Sequence, residues 1–143
     1  MVKATKWTSS WNSSIEPGKQ RKYKRNAPAH IRRIIMSAHL SKELKTKYSR
    51  RSFPLRKGDT VTIMKGDLKG KSGKVTEFNT TRYKVYVEGI VNMRKDGNTS
   101  PRALEPSNLM ITSLELTDPK RSQIMDRKKI KQTMEKTDEQ KTS

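Results

Sequence analysis

The chain has few side chains from which a hydrophobic core could form, and most of them lie in its middle. Leu, Ile, Val and Phe account for 25 of the 143 residues, and 14 of these fall within residues 58–117. Their share is about 17%, whereas a share below roughly 20% is typical of chains that do not fold alone. The sequence therefore excludes a large enzyme-like core and predicts a small central globule. A globule of about 60 residues buries only about 60% of its unfolded surface, so its stability is marginal.

Positive charge is concentrated N-terminal to this globule. Lys and Arg against Asp and Glu number 16 and 2 in residues 1–57, 9 and 7 in residues 58–117, and 8 and 5 in residues 118–143. A net charge of +19 destabilises a compact state through self-repulsion unless a polyanion neutralises it. We predict a basic arm over 1–57, a globular β domain over 58–117 and a charged helix and tail over 118–143. The expected partner is nucleic acid or an anionic membrane surface.

Several classes of protein are excluded by what the sequence lacks. Without cysteine the chain has no disulfide, no thiolate zinc site and no cysteine nucleophile. The longest aliphatic run, Ile34–Met36, is far too short to span a membrane. No apolar segment follows the N-terminal lysines as it would in a signal peptide. We expect a soluble cytoplasmic protein.

The sequence contains no combination of residues that is typical of an active site. His30 and His39 have no carboxylate cluster beside them, and acid–base or metal chemistry needs several convergent groups. The central acids alternate with lysines and are expected to form solvent-exposed ion pairs. They include Asp59, Asp67, Glu77 and Glu88. Residues 66–72 lack the spacing of a phosphate-binding loop. The sequence predicts no enzyme, no metal and no cofactor.

The N-terminal arm is predicted to be largely disordered without a partner. Residues 1–18 show no hydrophobic periodicity and are expected to be disordered in isolation. Trp7 and Trp11 are interpreted as exposed aromatics that dock on a partner, with stacking on a base as the alternative. Residues 19–25 carry five positive charges. Because such dense like charges repel each other, we expect this stretch to need a polyanion to become ordered.

Three helices are predicted from their start signals and apolar spacing. Pro28 suits the first position of a helix, and an apolar stripe at helical spacing follows it. The stripe consists of Ile31, Ile34, Ile35 and Ala38. Ser41 is a suitable N-cap for a second short helix that ends near Tyr48. A C-terminal helix is expected to start at Pro119 and to run to about Lys131. Its thin apolar face consists of Ile124, Met125 and Ile130.

The central region is predicted to form about five short β-strands. Apolar and polar residues alternate around Val61 and Ile63, and again around Val85 and Val87, which is typical of half-buried strands. The remaining strands are expected at 75–78, 90–93 and 109–114. Glycine, asparagine and aspartate occupy the breaks between them. Several short strands in a small volume predict a closed or nearly closed barrel, since closure leaves few unpaired edges.

A glycine-rich basic turn is predicted between the first two of these strands. Glycine allows positive φ angles and the close approach of another backbone. The turn carries one aspartate and four lysines, which are Lys65, Lys69, Lys71 and Lys74. We predict that it contacts RNA phosphates, with an ordinary solvated hairpin as the alternative.

The stretch from Lys57 to Val75 closely resembles a KOW motif, which occurs in ribosomal proteins and transcription elongation factors, usually within an SH3-like barrel. The flanking segments narrow the resemblance, and they are 25–33 (RNAPAHIRR), 40–44 (LSKEL), 54–59 (PLRKGD) and 105–111 (EPSNLMI). From about residue 19 to residue 129, the chain is similar to the universal L-twenty-four family of large-subunit ribosomal proteins in its archaeal and eukaryotic form. Glu105 stands where members usually have histidine, and residues 1–18 match no part of the family pattern.

The resemblance implies a mainly β fold. A small SH3-like barrel would follow a basic N-terminal arm with two short helices and precede a C-terminal helix. The implied protein is a structural component of the large ribosomal subunit that binds the 5′ region of the large-subunit rRNA, helps to nucleate assembly and lies near the peptide exit tunnel. Its implied partners are the rRNA, neighbouring large-subunit proteins and tunnel-exit factors, without homo-oligomerisation. The tail is shorter than in eukaryotic members, which favours an archaeal source.

The basic positions that match the family, together with the basic residues beside them, are predicted to bind RNA. They are Lys19, Arg21, Lys22, Lys24, Arg25, His30, Arg32, Arg33, Arg50, Arg51, Arg56, Lys57, Lys65, Lys69, Gly70, Lys71 and Lys74. Gly70 matches the characteristic glycine of the motif, with Gly73 as the alternative. The competing function is a KOW-type transcription elongation factor that binds RNA polymerase or nascent RNA. Such proteins usually place an α/β domain before the barrel, and residues 1–57 are too basic and too poor in apolar residues to form one.

Overall fold

The computed structural model describes residues 7–126 of the chain. The helices are a 3-10 helix at Ser9–Ser13, α1 at Pro17–Asn26, α2 at Ala29–Ile35, α3 at Lys42–Tyr48, a 3-10 helix at Pro106–Asn108, and α4 at 119–126. The strands are β1 at Ser37–Leu40, β2 at Ser52–Pro54, β3 at Thr60–Ile63, β4 at Ser72–Asn79, β5 at Lys84–Val87, β6 at Val91–Met93, β7 at Thr99–Pro101 and β8 at Leu109–Ser113. The four α-helices of this region thus flank strands β3 to β8.

Six of the strands form one sheet in the order β2-β1-β8-β3-β4-β5. The β1–β8 pair is parallel and the others are antiparallel, while β6 and β7 form a separate antiparallel ribbon. The prediction of a mainly β fold is confirmed. Within residues 7–126 no ladder joins β2 to β5, so strand pairing does not close the sheet into a barrel. Strands β1 and β2 extend the sheet beyond β8.

Alternation of apolar and polar side chains explains the central strands. In β3 and β5 every second residue is buried, as expected for strands with one face on a core. The predictions of strands around Val61, Val75, Val85 and Leu109 are confirmed. The strand predicted at 90–93 forms as β6, but it lies outside the main sheet and all three of its residues are exposed.

The hydrophobic core combines the central strands with residues from both sides of them. Val61, Val85, Leu109 and Ile111 are completely buried at its centre. The segment 36–55 adds Met36, Ala38, Leu40, Phe53 and Leu55, and α4 adds Met125. The sheet therefore buries its apolar face only with the help of chain from both ends.

Disorder was predicted for residues 1–18, and the structure corrects this for residues 7–18, the part of that segment that it describes. A 3-10 helix and α1 occupy residues 9–13 and 17–26, so the N-terminal segment holds three α-helices rather than two. Pro17 stands at the start of α1, where proline is favourable. The Gln20 amide donates to the carbonyls of Asn12 (2.7 Å) and Ser14 (2.9 Å). These local contacts offset the repulsion among the basic residues of the helix.

The helix predicted from Pro28 is shorter than its apolar stripe suggests. Pro28 is the N-cap and α2 ends at Ile35, so Ala38 lies in β1, where it is buried. Ile34 remains 61% exposed. The prediction was wrong because Ala38 and Leu40 also satisfy the two-residue period of a strand, and pairing with both β2 and β8 favours that conformation.

The two later helices are confirmed where the structure describes them. Ser41 Oγ accepts a hydrogen bond from the Leu44 amide at the start of α3. Asp118 Oδ1 accepts from the Lys120 amide at the start of α4. Met125 is fully buried, whereas Ile124 is 40% exposed. Ile130 and the predicted end of this helix lie outside the described residues, as does the charged tail.

The β3–β4 turn uses two glycines for different physical reasons. Gly70 has a φ of +88° and an open surround, so it provides the left-handed conformation that ends the turn. Gly73 has no positive φ, but a Cβ there would lie 2.7 Å from the Glu88 carbonyl oxygen and 2.8 Å from Val87 Cγ1. The missing Cβ of Gly73 therefore allows β4 to pass close to the backbone at the C-terminal end of β5.

We expect Gly73→Ala to destabilise the fold more than Gly70→Ala. The first must push β4 away from backbone atoms, and overpacking of this kind costs about 1–3 kcal/mol. The second costs about 1 kcal/mol through backbone strain, and Gly70→Asn should cost less, since asparagine tolerates positive φ. Urea unfolding of the three variants measures the order. Equal losses at both glycines would contradict this division of roles.

Candidate nucleic-acid interface

Most of the residues predicted to bind RNA are exposed. The exposed set consists of Lys19, Arg21, Lys22, Lys24, Arg25, His30, Arg33, Arg51, Lys57, Lys65, Lys69, Gly70, Lys71 and Lys74. Arg32, Arg50 and Arg56 are half-buried. The exposed residues fall into two main groups, one on α1 and one in the β3–β4 turn.

Helix α1 presents five positive charges and no acidic residue. None of its ten residues is buried, so all five basic side chains face solvent. Lys24 and Arg25 lie in the last turn, where the helix dipole favours positive charge. The helix is therefore a compact cationic surface.

Two aromatic side chains hold α1 in place. Trp7 Nε1 donates to the Tyr23 carbonyl at 3.2 Å, and the two rings lie 5.4 Å apart. The hydroxyl of Tyr83, in the β4–β5 turn, donates to the Lys24 carbonyl. Partial burial raises the pKa of Tyr83. Trp7 was predicted to be an exposed aromatic, but it packs against Tyr23 of the same chain. The hydrogen bond from Tyr83 attaches α1 to one end of the sheet.

The three half-buried arginines contact the protein itself. Arg32 Nε donates to the Ala27 carbonyl at 2.7 Å and braces the corner between α1 and α2. Arg50 Nη2 donates to the Ile124 carbonyl at 2.6 Å, and its guanidinium lies 5.9 Å from the centre of the Phe53 ring. These two side chains stabilise the fold, and their contact with RNA stays a prediction.

Arg56 is held at its side chain and at its backbone. Its Nη1 lies 2.6 Å from Asp118 Oδ2, and its amide donates to Asp59 Oδ2 at 2.8 Å. The hydrogen bond from Arg56 holds the pKa of Asp118 below its ordinary value. The guanidinium of Arg56 is therefore fixed in position beside the exposed Lys57.

The β3–β4 turn and the start of β4 form the second cationic group. Three exposed lysines lie in the turn and the fourth, Lys74, lies in β4. The one carboxylate of the turn, Asp67, lies 3.1 Å from Nη2 of Arg102. The hydrogen bond from Arg102 lowers the pKa of Asp67. Because Arg102 neutralises Asp67, this carboxylate does not diminish the charge of the lysines.

Glu105 forms an ion pair with Lys84 of β5. Its Oε1 lies 2.9 Å from Nζ of Lys84. This hydrogen bond lowers the pKa of Glu105. Glu105 thus pairs with a residue of the sheet, and it neutralises the positive charge of Lys84 on the surface beside α1.

Asp59 contradicts the prediction that the central acids form solvent-exposed pairs. It is completely buried, and Arg121 is 6% exposed. Each Asp59 oxygen accepts from an Arg121 nitrogen at 2.7 Å, and the amides of Arg56 and Glu115 also donate to it. Arg121 further donates to the carbonyls of Pro54 and Glu115 and lies over the Phe53 ring. Asp67, Glu77 and Glu88 are exposed, as predicted, but of these three only Asp67 forms an ion pair within the described residues.

Sequence reasoning missed this ion pair because its partners are 62 residues apart. Neither residue stands in a pattern that marks burial, since Asp59 follows a lysine and a glycine and Arg121 lies in a charged helix. Only the three-dimensional arrangement brings α4 onto the segment before β3. There the pair sets the position of Arg56 and Lys57.

The part of the chain that the structure describes contains no group of three or more possible metal ligands among His, Cys, Asp and Glu. His30 is exposed on α2, and His39 is half-buried in β1. Over residues 7–126, no helix is long and apolar enough to cross a membrane.

Comparison with known proteins decides the family. The family model that describes the eukaryotic L26 ribosomal proteins and their archaeal counterparts matches residues 14–128, which include α1, the basic turn and both members of the buried ion pair. The chain belongs to this ribosomal protein family. A relative in it, "Large ribosomal subunit protein uL24" of Korarchaeum cryptofilum (strain OPF8), is 48% identical over 118 residues, which are 82% of this chain and 90% of the relative.

Membership in the uL24 family confirms the resemblance predicted over about residues 19–129. The protein is a structural component of the large ribosomal subunit. The family is one of ribosomal proteins and not of enzymes, and it is not the family of transcription elongation factors that formed the alternative. Residues 1–13 lie outside the match.

We expect Tyr83→Phe to loosen α1 without affecting the sheet. The substitution removes the hydroxyl that donates to Lys24 and keeps the ring, and a hydrogen bond of this kind contributes about 0.5–1.5 kcal/mol. Amide hydrogen exchange in residues 20–26 should accelerate roughly 2- to 10-fold, the equivalent of this loss. Tyr86→Phe, on β5, is the matched control. Unchanged exchange in α1 would show that the hydroxyl does not hold the helix.

Proposed function

We propose that this uL24-family protein binds the 5′ region of the large-subunit rRNA early in assembly and then lies near the peptide exit tunnel. The central strands, with the KOW-like turn between β3 and β4, would act as an SH3-like platform. The observation that carries the proposal is the cationic helix α1, which has five exposed basic residues and is attached to the sheet through the hydroxyl of Tyr83. Such a surface suits folded RNA, which proteins recognise largely through shape and through phosphate and 2′-OH contacts.

The two cationic groups lie at opposite ends of β4. The lysine turn enters β4 at Ser72, and the β4–β5 turn that carries Tyr83 follows its end at Asn79. Eight strand residues span about 26 Å at roughly 3.3 Å per residue. We infer that α1 and the lysine turn contact different segments of the RNA, so the protein would link two parts of the folded 5′ region.

The RNA-binding arm, in this proposal, ends at Ile35. The residues that follow pair in the sheet as β1 and β2, so the platform begins there.

The β6–β7 ribbon offers a different surface. Its Val91 and Met93 are 50% and 80% exposed, and we propose that this ribbon faces other proteins, such as tunnel-exit factors.

Salt dependence of RNA binding tests whether both cationic groups contact phosphates. We expect the double variants Arg21→Gln/Lys22→Gln and Lys71→Gln/Lys74→Gln each to flatten the slope of log K against log salt by about 1.4–1.8 units, since each lost phosphate contact removes about 0.7–0.9. Lys42→Gln/Lys45→Gln, on exposed positions of α3, is the matched control and should leave the slope within about 0.5 unit.

The measurement uses a fragment of the rRNA 5′ region and an unrelated RNA of equal length. The wild-type protein should prefer the 5′ fragment. Equal affinity for both RNAs, or a slope that neither double variant changes, would contradict the proposed function.

A further inference from the structure

A small cavity lies between α2, the segment before β3 and the end of β4. Its volume is about 300 Å³. The floor is apolar and belongs to the core, since Met36 and Leu55 are 3% and 8% exposed and Phe78 packs against them in the same cluster. Arg33, Arg56 and Lys57 also line it. It therefore combines an aromatic and aliphatic floor with three positive charges.

This combination matches the chemistry of one nucleotide. A nucleobase that is not stacked on its neighbours has an apolar face that packs on aromatic and aliphatic side chains, and its phosphate pairs with arginine and lysine. No carboxylate lines the cavity among the described residues. Its volume lies at the lower limit of ligand pockets, which run from about 300 to 1,000 Å³. The cavity thus fits a single base and not a larger ligand.

One of these three cations, Arg56, is oriented in advance. Asp118 holds Nη1 of Arg56 at 2.6 Å, and the buried Asp59 accepts the Arg56 amide. Asp118 offsets part of the Arg56 charge, whereas Arg33 and Lys57 are exposed. A guanidinium that is already fixed loses little conformational freedom when it binds a phosphate.

We propose that this cavity binds one unstacked nucleotide of the RNA, with its base against Phe78 and Met36 and its phosphate between Arg33, Arg56 and Lys57. The inference rests on the proposed RNA-binding function and adds to it a site for a single nucleotide. Phosphate contacts alone carry no sequence information. A base held in this cavity gives the protein a means of recognising one position in the folded RNA.

Photocrosslinking of the full-length protein to the rRNA 5′ fragment tests the site directly. Ultraviolet irradiation should join one nucleotide to the tryptic peptide Val75–Arg82, which contains Phe78 and Thr80. Phe78→Leu keeps an apolar floor and removes the ring. It should weaken binding roughly 5- to 100-fold, as the loss of base–aromatic stacking does, and should abolish the crosslink.

Phe78 packs against the core, so its substitution can also destabilise the fold. Two further variants test the site without changing Phe78. Thr80→Glu, at a half-buried lining position, places a carboxylate among the three cations and should also abolish the crosslink. Arg33→Gln removes an exposed charge of the cavity and should weaken binding more than Arg94→Gln, its matched control in the exposed β6–β7 turn. Thermal melts show which variants remain folded.

The outcomes separate this inference from the proposed function. A wild-type protein without affinity for the 5′ fragment would overturn both. Wild-type binding that folded Thr80→Glu and Arg33→Gln variants leave within twofold, with no crosslink on 75–82, would overturn the nucleotide site alone. Displacement of the crosslink by an excess of a free mononucleotide would support a site for one nucleotide. A crosslink from this peptide to a neighbouring protein in intact subunits would overturn it in favour of a protein contact.

Discussion

The buried ion pair between Asp59 and Arg121 is the interaction on which the rest of the structure depends. Two parallel hydrogen bonds of 2.7 Å join the side chains, and four further hydrogen bonds link them to backbone groups. Removal of one partner from such a pair leaves a buried charge uncompensated and costs about 3–5 kcal/mol. The pair joins α4, the end of β2, the segment before β3 and the segment after β8. It therefore connects the C-terminal end of the described chain to the middle of the chain across a core that has few apolar residues.

This connection also determines how the protein presents its charge. The amide of Arg56 is bound to Asp59, and the side chain is bound to Asp118 at the start of α4, so two acidic residues hold this cation beside the cavity. Helix α1, in contrast, is attached mainly through Trp7 and Tyr83. We infer a rigid platform with a more weakly held cationic helix, an arrangement that lets the helix adjust to RNA while the platform keeps its shape.

The sequence predicts the elements whose signals are local. Alternation at Val61 and Val85, the cap at Ser41 and the start at Pro119 each depend on neighbouring residues, and all four were placed correctly. Strand β1 was missed because Ala38 fits two periodicities, and distant strands decide between them. Helix α1 was missed because its charges were weighed without the packing of Trp7. The exposed positions of most cations in the site could be predicted from the charge of the sequence. The contacts of Arg32 and Arg50 within the protein, and the pair of Asp59 with Arg121 across 62 residues, depend on tertiary structure and could not.

The most direct test of this account is a double-mutant cycle on the buried pair, measured by chemical unfolding of the full-length protein. Asp59→Asn and Arg121→Met should each lower the free energy of unfolding by about 3–5 kcal/mol. The double variant should lose clearly less than the sum of the two, because no unpaired buried charge remains, and the coupling should exceed about 1 kcal/mol. Losses that add to within about 0.5 kcal/mol would contradict the claim that this pair holds the fold together.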